Sequence, residues 1–207
     1  MDIDFFTSVG VPSADEKEFR DTVVKILNDP RGWKKYGYRF YESPNADSIN
    51  IRLESAAEAL CGFPNLSCWR KNHKDIIINY DNWMGKSKSK LPIDRYRNYV
   101  INHEVGHALG HSHNKCPIEE CKKRNMIDCP ASIMQQMSRG PDVIKPCIES
   151  DWPLDASWKI DIPPYTKKIP IGVAAISAIA AIVVIVVIVV IIIVAMVFVR
   201  AYLPYHP

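Results

Sequence analysis

Between Ile171 and Val199 the chain has no charged residue at all, and most of those positions are Ile, Val or Ala. At about 1.5 Å per residue the run exceeds the ~30 Å hydrocarbon core of a bilayer, which excludes a surface loop and predicts a transmembrane helix over 171–199. A buried core helix is the weaker reading, because the remaining chain makes too small a domain to hide an apolar cylinder of that length. The β-branched bias would be poor for an isolated helix in water but is acceptable in lipid. A second absence lies at the other end. Met1-Asp2-Ile3-Asp4-Phe5-Phe6 has no basic segment followed by an apolar one, so no cleavable signal peptide is visible. One apolar segment near the C-terminus then predicts a tail-anchored protein, with its N-terminal domain on the cytosolic side or inside a virion at its inner membrane. Lys167 and Lys168 before the span, against Arg200 after it, agree with that orientation.

An excess of charge of one sign is also missing. The 26 Lys and Arg stand against 23 Asp and Glu, a formal net charge of +3. The densest basic stretch, Lys86-Ser87-Lys88-Ser89-Lys90, reads as a solvated loop, so no nucleic-acid partner is expected. No internal repeat is visible, which leaves no basis for a repeat architecture.

Cysteine, by contrast, is present, and all six residues precede the apolar run: Cys61, Cys68, Cys116, Cys121, Cys129 and Cys147. An even set in a small domain suggests disulfides, whereas cytosolic domains rarely keep them. Three readings stay open: reduced thiols, maturation in an oxidising setting such as a virus with its own thiol oxidase, or a second zinc held by Cys116, Cys121, Cys129 and Cys147 at irregular spacing.

Four of the six histidines fall in the run His103-Glu104-Val105-Gly106-His107-Ala108-Leu109-Gly110-His111-Ser112-His113. The run contains HExxHxxGxxH, and each fixed position has a mechanical reason. His103 and His107, four apart, share one helix face and can bind a single ion. Glu104 stands next to the first ligand, where its carboxylate reaches a metal-bound water. Gly110 can take a left-handed conformation that ends the helix and turns the chain, which lets His113 return as a third ligand. Three protein ligands with an open fourth position is the pattern of a catalytic zinc site. His111 is the rival to His113, but only four residues separate it from His107, and a role outside the ligand set, or solvation, is the better reading.

Around this run the periodicities predict a mixed set of elements. Ser13 to Asn28 reads as an amphipathic helix, capped by Ser13 with Glu16 three residues on, and with Phe19, Val23, Ile26 and Leu27 as its apolar stripe. Asp29-Pro30-Arg31-Gly32 reads as a turn. Strands are predicted over Tyr36 to Tyr41, Ser48 to Leu53 and, most strongly, Asp75 to Tyr80, with a short helix from Ser55 to Leu60. The last strand is either a core strand or an edge strand able to pair with an extended peptide. Pro92-Ile93-Asp94 starts the metal-binding helix, which is expected from about Asp94 to Leu109 with Tyr96, Tyr99 and Val100 on its buried side. Beyond His113 the chain is irregular and rich in Cys and Pro.

HExxHxxGxxH followed by Ala131-Ser132-Ile133-Met134 resembles the metzincin metalloproteases. More closely, the chain is similar to an uncharacterised, mainly actinobacterial family of metzincin-like domains of unknown function. The stretches that carry this are Asp29-Pro30-Arg31-Gly32-Trp33, Ser67-Cys68 with the strand onward to Trp83, Tyr99-Val100-Ile101-Asn102 running into the histidines, and Met134-Gln135-Gln136. The likeness covers roughly Phe5 to Pro153. It implies an α+β fold, a small mixed sheet packed on the N-terminal helix and the metal-binding helix. It implies a methionine-containing turn beneath the metal, with Met134 as the match and Met137 as the fallback. It also implies the pairs Cys61 with Cys68 and Cys116 with Cys147, with Cys121 and Cys129 in an insertion. Two departures stand out: the anchor is C-terminal, and Gln136 occupies the place where some metzincins have a tyrosine.

These readings divide the chain into a metalloprotease-like domain over 1–153, a Pro-rich stalk over 154–170, the membrane helix over 171–199 and a short tail over 200–207. The expected activity is hydrolysis of peptide bonds in a peptide or protein substrate. Zn²⁺ would sit on His103, His107 and His113, with Glu104 as general base and then acid. The alternative is a membrane-anchored structural protein, such as a minor capsid or inner-membrane component of a large virus, that keeps the zinc fold as a scaffold.

Overall fold

The computed structural model describes residues 1–7, 11–43 and 47–161. The chain divides into two units, Met1–Tyr165 and Thr166–Pro207. The span expected over 171–199, the tail after it and the stalk beyond residue 161 lie outside the described residues, among which no helix is long and apolar enough to cross a membrane.

The domain is mixed α and β, with a five-stranded sheet of order β2-β1-β3-β5-β4. Its strands are β1 (Asp2–Thr7), β2 (Tyr41–Glu42), β3 (Ile49–Glu54), β4 (Cys68–Arg70) and β5 (Asp75–Asn79). All pair in parallel except β4, which runs antiparallel to β5. The register places Phe5 beside Ile51 and Ile51 beside Ile76, with Leu53 beside Ile78. Because side chains alternate along a strand, these residues share one face. Ile51, Leu53, Ile76 and Ile78 are essentially inaccessible to water, and each such side chain is worth about 1.5–3 kcal/mol relative to exposure. Among the alternate positions Ile77 is buried as well, but others carry charge. Arg52 pairs with Glu54, and Arg70 of β4 holds Asp75 of β5 through two bonds of 2.9 and 2.5 Å. The first pair lies within β3 and the second crosses from β4 to β5; both keep buried carboxylates paired, and the second fastens the short β4 to the sheet.

Helix α1 (Ser13–Leu27) lays its apolar stripe on the core, as the periodicity predicts: Phe19, Val23, Ile26 and Leu27 are buried. The Phe19 ring meets Phe5 of β1 at 6.3 Å and Trp83 at 4.9 Å, both edge to face, a favoured aromatic geometry. The expected cap differs. Pro12 precedes the first turn, Ser13 is already helical, and no side chain caps the end; the first closing bond is Glu16 N–H to the Pro12 carbonyl at 3.1 Å. Proline's fixed φ suits that entry, and the helix starts one residue early for a cap by Ser13, which lies inside the first turn.

Three other expectations change. Tyr36 to Tyr41 is a strand only over its last residue and Glu42, because Trp33–Tyr36 coils into a 3₁₀ turn closed by Gly37 at φ +88°. Asp2–Thr7, for which the sequence pattern predicts no element, pairs with β2 on one side and β3 on the other. Finally β5 is not an edge. All five of its residues are buried between β3 and β4, so the free edge beside the histidines is β4.

Helix α2 (Ala57–Cys61) follows β3, and α3 (Ile93–Ala108) carries the histidines. Between α3 and residue 161 the described residues form little regular structure beyond α4 (Ile118–Lys123) and single 3₁₀ turns. Disulfides join Cys61 to Cys68, Cys116 to Cys147 and Cys121 to Cys129. Packing continues past Pro153, where the sequence reading ended the domain: Leu154 and Trp158 are buried and Asp161 is fully so. Asp161 is held there because its carboxylate accepts from the Leu154 N–H at 2.8 Å and from Ser132 Oγ at 2.5 Å.

Candidate metal centre

On α3, His103 and His107 are one turn apart, with ring centroids 4.8 Å from each other. The helix ends at Leu109, and Gly110 takes φ +98°. Two bonds close this end, Gly110 N–H to the His107 carbonyl at 2.9 Å and His111 N–H to the Gly106 carbonyl at 3.0 Å. That pairing is the Schellman arrangement, which needs a left-handed residue at Gly110. It reverses the chain, and His113 comes back with its ring 4.7 Å from His107 and 5.3 Å from His103. One ligand atom from each of the three lies within 4.8 Å of the others, so the cluster is able to hold a metal ion.

Hydrogen bonding fixes which nitrogens are offered. His103 Nδ1 is 2.8 Å from the Ile133 carbonyl, and His107 Nδ1 is 2.8 Å from the His111 carbonyl. A carbonyl only accepts, so each Nδ1 carries the proton and each Nε2 keeps its lone pair. His107 Nε2 and His113 Nε2 face each other at 3.1 Å. Burial keeps these rings neutral. It lowers the His103 pKa to about 3 and that of His113 to about 4, in both cases with help from the neighbouring His107, and it lowers His107 as well. Neutral imidazoles with converging lone pairs are what a borderline-soft divalent ion requires.

Glu104 sits between the helix and β4. Its side chain is buried, its Oε2 has no hydrogen-bond partner among the described residues, and burial raises its pKa to about 8 against a backbone hydrogen bond from Trp69. A carboxyl left half-unpaired in a closed place is costly unless a nearby cation or a bound water satisfies it. The residues therefore suit a divalent ion on their own terms. Cluster and carboxylate open on one cleft of about 420 Å³, whose wall includes Ser67, Cys68 and Trp69 at the sheet edge.

His111 stands apart from the cluster. Its ring packs on Trp33 at 5.1 Å and its Nε2 is buried without a partner among the described residues, so it contributes a backbone carbonyl rather than a ligand nitrogen. Below the rings, Met134 is fully buried against the one helical position that lacks a side chain. A Cβ built on Gly106 would run into Met134 Sδ and lie 2.9 Å from Trp33 Cζ2. Met137 is buried too but touches Ser150, not the helix glycine. The floor is tied by side chains. Ser132 Oγ accepts from Asn114 Nδ2 at 2.7 Å and from the Met134 N–H at 3.1 Å, and Tyr99 donates to the Gln135 carbonyl at 3.0 Å. Sequence reasoning missed Gly106, Asp161 and the two carbonyl partners. A glycine inside a helix was a usable signal, whereas a backbone carbonyl leaves none.

What these features define is an α+β domain whose central helix and following turn gather three histidines into a possible metal site. Residues 4–140 match the family described as "Protein of unknown function (DUF3152)", more than half of the 207 residues, and the chain belongs to that family. No curated protein and no solved structure matches it.

Proposed function

We propose that the chain is a metzincin-like, zinc-dependent endopeptidase, held at a bilayer by residues 171–199 and acting on extended peptide segments of protein substrates. The observation that carries this reading is the meeting, in one cleft, of three converging imidazole nitrogens with a buried carboxylate that has an unpartnered oxygen. His103, His107 and His113 would hold the ion. Bound there, zinc would bring the pKa of its water to about 7 and polarise the scissile carbonyl. Glu104 takes the proton from the attacking water and passes it to the leaving amine. Its raised pKa suits it to hold that proton between the two steps. The edge strand β4, with Cys68 and Trp69 on the cleft, offers backbone groups on which an extended peptide can lie as a further strand.

A scaffold role is the weaker reading, because a structural site gains nothing from a buried carboxylate with an unpartnered oxygen. The three disulfides weigh against a reducing cytosol and favour the oxidising setting that the cysteine count allowed. The decisive experiment is metal analysis of the full chain together with cleavage of a peptide library, wild type against Glu104→Gln. Both forms should carry one zinc per chain, and turnover should fall by about 10²–10⁴-fold in the variant. Absence of zinc, or a fully active variant, would overturn the proposal.

A further inference from the structure

Next to the metal cleft lies a second one of about 450 Å³, and the two share Phe63, Leu66, Ser138 and Arg139 along their boundary. The second cleft adds Lys86 and Lys88 to the shared Arg139, and no Asp or Glu lines it. Lys86 is partly spoken for, since its Nζ is 2.8 Å from Asp81. Lys88 and Arg139 have no ion-pair partner among the described residues, and Arg139 lines both clefts. Arg139 is exposed and so is Lys88, while Phe63 shows 57% of its surface at the rim. Free cations grouped around an open cleft, without a carboxylate to answer them, make a receptor for an anionic group.

The geometry points to a substrate with an acidic side chain, Asp or Glu, bound in this second cleft; we infer this on the footing that the first cleft cuts peptides. The direction follows from the sheet edge. Going backwards along the chain, the lining passes from Trp69, Cys68 and Ser67, which face the first cleft only, through Leu66, which faces both, to Asn65 and Pro64, which face the second only. A peptide paired antiparallel to β4, the stronger of the two pairings, therefore runs into the second cleft with its C-terminal half. The acidic residue lies downstream of the scissile bond. Phe63 and Leu66 cover its methylene groups or an apolar neighbour.

Binding tests this without turnover. Fluorescent octapeptides that differ only in Asp or Glu against Asn or Gln are titrated by anisotropy onto the full-length, detergent-solubilised Glu104→Gln chain. The acidic members should bind on the order of tenfold tighter at low salt, an advantage that shrinks as salt is added. It should vanish in Lys88→Ala/Arg139→Ala and reverse toward lysine peptides in Lys88→Glu/Arg139→Glu. These residues are exposed, so the variants should fold, and an unchanged melting curve checks that they have. Equal affinity for acidic and amide peptides, or a preference that survives the double alanine change, overturns the inference. In the wild type, mapped cut sites should carry Asp or Glu on their C-terminal side, and enrichment on the N-terminal side overturns the direction. Selective binding without any cleavage sinks the peptidase reading alone, while cleavage with no acidic preference sinks this inference alone.

Discussion

The residues up to Leu109 and those from Gly110 to Asp161 are built by different physics. The first region makes its core from periodic elements: alternating strands, an amphipathic α1 and the long α3. The second has, among its described residues, one six-residue helix, single turns and one isolated bridge between Pro130 and Ile148. Disulfides Cys116–Cys147 and Cys121–Cys129 close it, and side-chain to backbone bonds centred on Ser132 and Asp161 order it. Yet the candidate metal centre needs both. The first region supplies His103, Glu104 and His107. The second supplies His113, the Ile133 and His111 carbonyls that fix the ring tautomers, and Met134 beneath the helix. A regular element presents ligands at a set period, but it has no spare carbonyls to orient them, because its own are used within the helix.

The comparison is broken most strongly by removing the cross-link of the second region. Cys116→Ala/Cys147→Ala opens a loop of 31 residues, and a loss of about 2–5 kcal/mol is expected in urea unfolding. Hydrogen exchange should rise first in residues 114–150 and leave β3, β5 and α3 protected. Equal loss of protection in both regions would show that they unfold as one.

A second test exploits the carboxyl at their junction. Glu104 has its pKa raised to about 8, so the folded state keeps the proton that the unfolded chain has already released. Stability is then lost as the pH rises toward 8. Burial also lowers the pKa of four histidines, which gain stability over the same range as the unfolded chain finishes releasing their protons, so the effect of Glu104 is read from the difference between wild type and Glu104→Gln. In the metal-free chain that difference should shift by about 2 kcal/mol against the wild type between about pH 6.5 and 8. A difference that stays constant with pH would show that Glu104 does not titrate there.

Gly106→Ala sharpens the contact between helix and floor. The new methyl meets Met134 Sδ and Trp33 Cζ2. Overpacking of about 1–3 kcal/mol exceeds the gain of up to about 1 kcal/mol from replacing a helical glycine. A thermal melt should therefore show net destabilisation, and a stabilised variant would mean that the floor yields. The smallest effect is expected at Ser13→Ala. Since Ser13 makes no capping bond, unfolding should change by less than about 0.5 kcal/mol, whereas a true cap would cost about 1 kcal/mol.

How much could be read in advance follows the same division. The limits of α3, the stripe of α1, the strand at Asp75 and the nearness of His103, His107 and His113 were legible, because each follows from a period of 3.6 or 2 or from one glycine. Asp2–Thr7 was not, since its place depends on two partners far along the chain. Nor was the rank of β5 in the sheet, because an apolar run looks the same whether a strand lies inside or at the edge. The 3₁₀ turn at Trp33 overrode the strand propensity of Tyr36 to Tyr41. It did so by burying the indole, whose N–H donates to the Asn102 carbonyl at 2.9 Å.

By itself, then, the sequence determined the helix that carries two histidines, the glycine that turns the chain and the third histidine beyond it, since these depend on neighbours in the chain. Only the tertiary structure decided which nitrogens face inward, that Glu104 is buried with one oxygen unmatched, that β4 is the free edge and that Lys88 and Arg139 gather beside the cleft. Each of those is a relation between segments far apart in sequence, and such relations are set by packing, which no local pattern encodes.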